Sequence, residues 1–201
     1  MNNLQKTIAM DILECLGGVF KDPMLAGGAV RDYVLGRHAS DLDIYVRSNL
    51  DPQFTVDTVL GLMQQGKFEH TRTVFREELP ENYQGAALEA VIFGRVGEQE
   101  VNIMCSTAPY NDAIIQGFPC NMSEAYMYLD GVAHTTGWFR SGMERRRLVF
   151  TRYCKQAYKD KIIQKFPDWE VAPQGGRFEW PLGGHVVVNN LRAAWEANAN
   201  A

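Results

Sequence analysis

No apolar run in this sequence approaches the ~20 residues of a membrane span, and the opening MNNLQKTIAMDILECL carries acids where a secretory leader would be apolar. The expectation is a cytoplasmic protein without membrane contact. Cysteine is sparse. Cys15, Cys105, Cys120 and Cys154 are scattered with no Cys-x-x-Cys pair, so reduced thiols are expected rather than a zinc module or a disulfide framework. His38, His70, His134 and His185 show no ligand spacing, and there are no internal repeats. Bases do not predominate: 20 Lys and Arg against 24 Asp and Glu give a formal net charge of −4. That argues against a uniformly basic nucleic-acid coat but leaves room for a local patch.

What is present is the composition of a folded chain with a real core, 46% hydrophobic and 22% charged over 201 residues. The length suits one domain with a modest appendage, divided here into 1–135 and 136–201. Leu4, Ile8, Ile12 and Leu16 recur every four residues up to Gly17-Gly18, predicting an opening amphipathic helix. Asp51 and Pro52 read as the N-cap and first residue of another, with Val56, Val59, Leu60 and Met63 as its apolar stripe and Gly66 as its end. Strands are expected over 68–75, 87–96 and 99–105, the last two joined by a turn at Gly97-Glu98, with a polar loop over 76–85. A short helix over 109–116, a turn at Asp130-Gly131, a strand over 186–188 and a closing helix over 190–197 complete the pattern.

The chemistry concentrates in residues 25–46, LAGGAVRDYVLGRHASDLDIYV. Asp41 and Asp43 alternate along a strand, so both carboxylates share one face about 6 to 7 Å apart. Like charges so placed repel, and a divalent cation with oxygen ligands, Mg²⁺ above all with Mn²⁺ as the alternative, reverses that cost. Gly27 and Gly28 precede a helical turn bearing Arg31 and Asp32, where backbone N–H groups can approach an anion. Phosphate on one side and metal on the other describe a nucleotide site. Two-metal phosphoryl transfer calls for a third acid on a neighbouring strand. The segment QEVNIM offers Glu100 and Asn102 on one face, and of the two only Glu100 is a full anionic ligand.

These residues carry a family resemblance. Gly27-Gly28-Ala29-Val30-Arg31-Asp32, Leu35-Gly36-Arg37 and Asp41-Leu42-Asp43-Ile44 resemble the GGxVRD, LGR and DxDI signature of tRNA nucleotidyltransferases (CCA-adding enzymes) and bacterial poly(A) polymerases. Both belong to the DNA polymerase β-like nucleotidyltransferase superfamily. Glu100-Val101-Asn102 is similar to the family's EVxT strand, whose Glu is the third carboxylate. Phe118 to Met122 resembles its RRDFTINA motif, which would set Asn121 near a triphosphate. Ile115, Gln116 and Gly117 stand where that motif has its two arginines and aspartate, and the EDxxR helix that pairs with the incoming base has only a loose echo at Glu144. The resemblance implies an α+β head over 1–135, a small mixed β-sheet with helices packed on one side.

It further implies Mg²⁺-dependent transfer of an NMP from an NTP to a hydroxyl. Asp41, Asp43 and Glu100 would hold two ions, while Gly27, Gly28, Arg31, Asp32 and Asn121 would contact the nucleotide. Residues 144–166 carry eight Lys or Arg and two acids, read as one long basic helix and a reduced neck. On it Arg145, Arg152, Lys155 and Lys159 fall within about 80° of arc, a face suited to nucleic acid. With the resemblance, this favours RNA, a tRNA 3′ end, as acceptor. A protein or small-molecule acceptor, and a nucleotide- or RNA-binding regulator with impaired catalysis, remain as alternatives.

Overall fold

Asn2 opens the first helix with a capping box, its side chain accepting from Gln5 N–H while Gln5 reaches back to Asn2 N–H. In the computed structural model, which describes residues 1–64, 66–79, 87–151, 154–173 and 186–187, helix α1 spans Asn3–Gly17. Its buried stripe is Gln5, Ala9, Ile12, Leu13 and Leu16, rotated from the expected one so that Leu4 stands 68% exposed. Strand β1 (Met24–Ala26) leads into α2 (Gly28–Val34), and β2 (Asp41–Arg47) into α3 (Pro52–Met63), with Asp51 accepting from Phe54 N–H as cap. Strands β3 (Phe68–Phe75), β4 (Leu88–Val96) and β5 (Gln99–Ser106) follow. The polar segment between β3 and β4 begins with a 3₁₀ turn at Arg76–Glu78, and residues 80–86 lie outside the described residues. Helix α4 (Asn111–Gln116), a 3₁₀ turn at Asn121–Ser123, and strands β6 (Ala125–Met127) and β7 (Ala133–Thr135) come next.

Downstream, one expectation fails. Residues 144–166 are not a single helix. Helix α5 (Gly137–Arg145) stops at Arg146, which adopts a left-handed φ of 50°, and the chain turns to form β8 (Arg147–Leu148). Phe150 then bridges Cys120, and α6 (Gln156–Lys165) starts afresh. The apolar run Leu148-Val149-Phe150 is β-favouring, and its backbone partners lie elsewhere: Val149 O accepts from Asn121 N–H, and β8 pairs in parallel with β9 (Glu170–Val171). Such pairing outweighs the helical reading of the charge pattern. The strand expected near 186 is present as β10 (Val186–Val187), while the closing helix falls outside the described residues.

The main sheet has the order β10-β7-β6-β1-β2-β5-β4-β3. Among its pairings, β2 with β5 is the parallel one; the rest are antiparallel, so the sheet is mixed. Alternation gives it two buried faces. Leu25, Leu42, Ile44, Val101 and Ile103 join the cluster formed with α1, α2 and α3, and Phe139, Leu148, Ile162 and Phe166 extend that cluster into the C-terminal segment. Met24, Tyr45, Val91, Met104 and Tyr126 form a smaller cluster on the other face, capped by Ile114 and Ile115 of α4 and by Phe118. The architecture is α+β, as the sequence implies. Among the described residues no helix is long and apolar enough to cross a membrane.

Candidate active site

Ala26 ends β1, and the chain enters α2 through Gly27, whose φ of 83° and ψ of −135° are conformations that L side chains rarely adopt. Its N–H donates to Ala125 O at 2.8 Å, fixing the turn against β6. An added Cβ would meet nothing nearer than Phe118 Cζ at 3.8 Å, so backbone strain rather than space demands glycine here. Gly27→Ala is therefore expected to cost ~1–3 kcal/mol, seen as a lower urea midpoint at unchanged m-value.

Because Leu42, Ile44 and Val46 enter the main core, Asp41, Asp43 and Tyr45 point to the opposite face. Strand β5 behaves alike: Val101, Ile103 and Cys105 face the core, and Glu100, Asn102 and Met104 face the acids' side. The parallel register sets Asp41 beside Glu100 and Asp43 beside Asn102. On the other flank, extending the β1–β2 register one step beyond Leu25–Ile44 brings Ala26 beside Asp43, so the glycine turn adjoins the acids. Beyond Asn102 the same transverse row continues through Phe93 to Arg72, whose guanidinium lies 4.5 Å from the Phe93 ring centre.

Both acids are half-buried and held from one side. Asn102 Nδ2 donates to Asp43 Oδ1 at 2.9 Å, and Ser40 Oγ donates to Asp41 Oδ1 at 2.7 Å. Burial, reinforced by the charge of Asp41, raises the Asp43 pKa to about 7 despite the Asn102 amide and the positive charge of Lys161. The donors offered are hard oxygens, which fit Mg²⁺ or Mn²⁺ and not a soft metal. Glu100 is exposed, and among the described residues the carboxylates are not drawn together into a three-ligand cluster.

A buried glutamine braces both acid-bearing strands where they begin. Gln5, 2% exposed, donates from Nε2 to Ala39 O at 2.7 Å and to Gln99 Oε1 at 2.5 Å, while its Oε1 accepts from Ala39 N–H at 3.3 Å. Gln99 Nε2 in turn donates to Ser40 O at 3.2 Å and Glu100 O at 2.9 Å. Ala39, two residues before Asp41, and Gln99, immediately before Glu100, are thus tied to α1. The signal in the sequence is a lone amide on an otherwise apolar helical stripe. Gln5→Leu leaves both polar groups of Ala39 without that partner and is expected to cost ~1–3 kcal/mol, measured by denaturant unfolding.

Three of the residues expected at the nucleotide have partners within the chain. Arg31 Nε and Nη2 donate to Asp32 Oδ1 and Oδ2 at 2.8 and 3.1 Å, both residues are 2% exposed, and Lys165 Nζ joins Asp32 Oδ2 at 3.1 Å. This triad, buried at Arg31 and Asp32 and half-buried at Lys165, ties α6 to α2 and engages the Arg31 guanidinium and both Asp32 carboxylate oxygens within the chain. Asn121 is engaged too: Oδ1 accepts from Val149 N–H at 2.9 Å, and Nδ2 donates to Arg147 O at 3.1 Å and Trp138 O at 3.4 Å. It brackets the turn that interrupts the expected basic helix, a task that its place in the sequence motif does not reveal. The basic face also dissolves. Arg145 ends α5, Lys155 caps α6, Lys159 lies within α6, and Arg152 is outside the described residues.

No protein-family model and no curated protein matches the chain. Solved structures do. A tRNA-processing enzyme (apo form I) superposes with a TM-score of 0.60 at 10% identity over 86% of this chain and 45% of its own. The fold is that of a tRNA nucleotidyltransferase head. The CCA-adding enzyme of Bacillus stearothermophilus in complex with CTP gives 0.56 at 15% identity over 87% and 42%. That of Thermotoga maritima complexed with tRNA gives 0.57 at 14% over 88% and 41%. The chain therefore spans less than half the length of these enzymes, and the likeness is one of fold. Within this nucleotidyltransferase fold, the strand pair β2–β5 and the Gly27 turn form the face described above.

Proposed function

We propose that this chain is a metal-dependent nucleotidyltransferase that moves an NMP from an NTP to a hydroxyl acceptor, with RNA, and a tRNA 3′ end in particular, as the favoured acceptor. The observation that carries this reading is the register of β2 on β5, which aligns Asp41 with Glu100 and Asp43 with Asn102 beside the Gly27 turn. Asp41, Asp43 and Glu100 would hold two Mg²⁺ ions, which when bound supply charge neutralisation at the phosphates and acidify the acceptor hydroxyl. Asn102 holds the Asp43 carboxylate in orientation, and Ser40 does so for Asp41. With the Gly27 N–H committed to Ala125 O, the Gly28 N–H at the start of α2 would be the backbone donor that meets the triphosphate. The acceptor oxygen forms a bond to the α-phosphorus, the bond to the β-phosphate oxygen breaks, pyrophosphate leaves, and Glu100 takes the hydroxyl proton. The free thiols of Cys15, Cys105, Cys120 and Cys154 suit a reducing, cytoplasmic setting.

A second reading, a nucleotide- or RNA-binding regulator, draws on one observation: Ile115, in the place of a phosphate-facing arginine, is fully buried in the cluster that also holds Met104 and Tyr126. Incubation with each α-labelled NTP, Mg²⁺ and a total RNA and protein extract separates the two. Label appearing on an RNA supports the main reading, label on protein or a small molecule redirects the acceptor, and binding without incorporation under either Mg²⁺ or Mn²⁺ overturns transfer.

A further inference from the structure

The row that holds Asp41 continues beyond the acids. Glu100 stands between Asp41 on β2 and Arg95 on β4, and Arg95 stands between Glu100 and Glu69 on β3. Val91 and Phe93 pack on the acids' face of the sheet, and Arg95, in step with them, shares it. The row therefore reads acid, acid, base, acid. Facing residues lie about 4.5 to 5.5 Å apart between Cα atoms, so the guanidinium has a carboxylate within reach on either side. It takes the outer one: Arg95 Nε donates to Glu69 Oε2 at 2.8 Å, and Glu100 is exposed.

Glu69 owes its place to a bulge. Phe68 and Phe75 both pack on the main core although an odd number of residues separates them. The register steps from His70 opposite Gly94 to Arg72 opposite Phe93, leaving Thr71 as an extra residue that reverses the alternation. A regular ladder continued from Arg72 and Phe93 would set His70 opposite Arg95 and turn Glu69 to the core side. Gly94 admits the irregular strand, since a Cβ there would collide with the Phe68 ring and lie 2.7 Å from Glu69 O. Two departures from a regular hairpin thus combine to put a carboxylate on Arg95.

We propose that Glu69 is a positioning residue for the metal site: by holding the Arg95 guanidinium it keeps Arg95 from pairing with Glu100, which stays free to join Asp41 and Asp43 at a divalent ion. This rests on the reading of Glu100 as a metal ligand. A guanidinium bonded to the Glu100 carboxylate would occupy the oxygen lone pairs that an ion needs. Glu69 also balances the charge of Arg95 before an ion of like sign arrives. It does both from the far side of Arg95, without touching the ion.

The Arg95 and Glu69 side chains are 61% and 60% exposed, so Glu69→Gln and Arg95→Gln should keep the wild-type melting temperature. In metal-free protein the Arg95 Nε–H resonance should be unmoved by Glu100→Gln alone and should shift on Glu100→Gln in the Glu69→Gln background, where Glu100 has become its partner. Mn²⁺ binding is followed by titration calorimetry, with Asp43→Asn reporting any binding elsewhere. Glu69→Gln is expected to weaken it about fivefold, the scale of one exposed ion pair, and Glu69→Gln with Arg95→Gln to return it to wild-type strength, since the pair is removed without a change in net charge. An Arg95 resonance blind to Glu100 in both backgrounds, or an unchanged Mn²⁺ affinity in Glu69→Gln, would overturn the proposal. So would a weakened affinity that Arg95→Gln does not restore, which would make Glu69 a ligand or a structural prop in its own right. Exchange of partners at Arg95 with no Mn²⁺ binding that depends on Asp43 would sink the proposed function and leave the pairing of Arg95 as stated.

Discussion

Asp43→Asn is expected to lose nucleotide transfer by roughly 10³-fold or more, about 4 kcal/mol of barrier, while the protein becomes more stable. The two effects have one origin. Burial and the neighbouring Asp41 charge raise the folded Asp43 pKa to about 7 from an ordinary 3.8. A carboxyl whose folded pKa exceeds its unfolded value favours the native state while it stays protonated. That contribution is complete below the unfolded value and is lost as pH rises through the folded one. Asparagine carries no such loss. In EDTA the variant should therefore melt above wild type at pH 8, with the gap closing towards pH 4, and added Mg²⁺ should raise the melting temperature of wild type only. Asp41→Ala should abolish transfer equally. Persistent NMP transfer in both variants removes the acid pair from the mechanism.

Asp32→Asn should do the reverse, damaging the fold rather than the chemistry. Burial alone would raise the Asp32 pKa, but the hydrogen bonds and charge of Arg31, followed by Lys165, outweigh it and hold the carboxyl below its ordinary value. Its contribution is present above the unfolded pKa near 4 and disappears as pH falls towards the lower folded one. Substitution leaves the enclosed Arg31 guanidinium uncompensated and weakens one of the ties that hold α6, at an expected ~3–5 kcal/mol against a typical total of ~5–15 kcal/mol. Urea midpoints should show wild type losing stability between pH 6 and pH 3 and the variant starting low and changing less over that interval. A variant within 1 kcal/mol of wild type at pH 7, on the order of a surface change, would mean that the triad is not a structural tie.

Local signals in the sequence were sufficient wherever a residue acts on its own backbone neighbourhood. Asp51-Pro52 marks the start of α3, Gly97-Glu98 the β4–β5 turn, and Gly27 the strand-to-helix turn, because each feature is set by dihedral preference or capping within a few residues. The acids' shared face was legible for the same reason, as a two-residue period. What escaped was decided at long range. Nothing local tells that Arg146 turns left-handed so that Leu148 can pair with Val171, or that Asn121 spends its amide on Val149 and Arg147. Likewise the motif names Arg31 and Asp32 without saying that they close on each other under Lys165. The supporting residues of the site, Gln5, Gln99 and Asn102, take their meaning from the register of strands far apart in the chain.

That register has a bearing on how the chain folds. Asn102 and Asp43 are 59 positions apart. Their strands run parallel, so α3, β3 and β4 must first be laid down as the crossover between them. The β3–β4–β5 meander is antiparallel and closes short loops, whereas joining β5 to β2 closes a long one. Pulse-labelled hydrogen exchange during refolding should find the β3–β4 amides protected before those of β2. The carboxylates therefore meet late, and the metal site proposed for them is complete only once the sheet is.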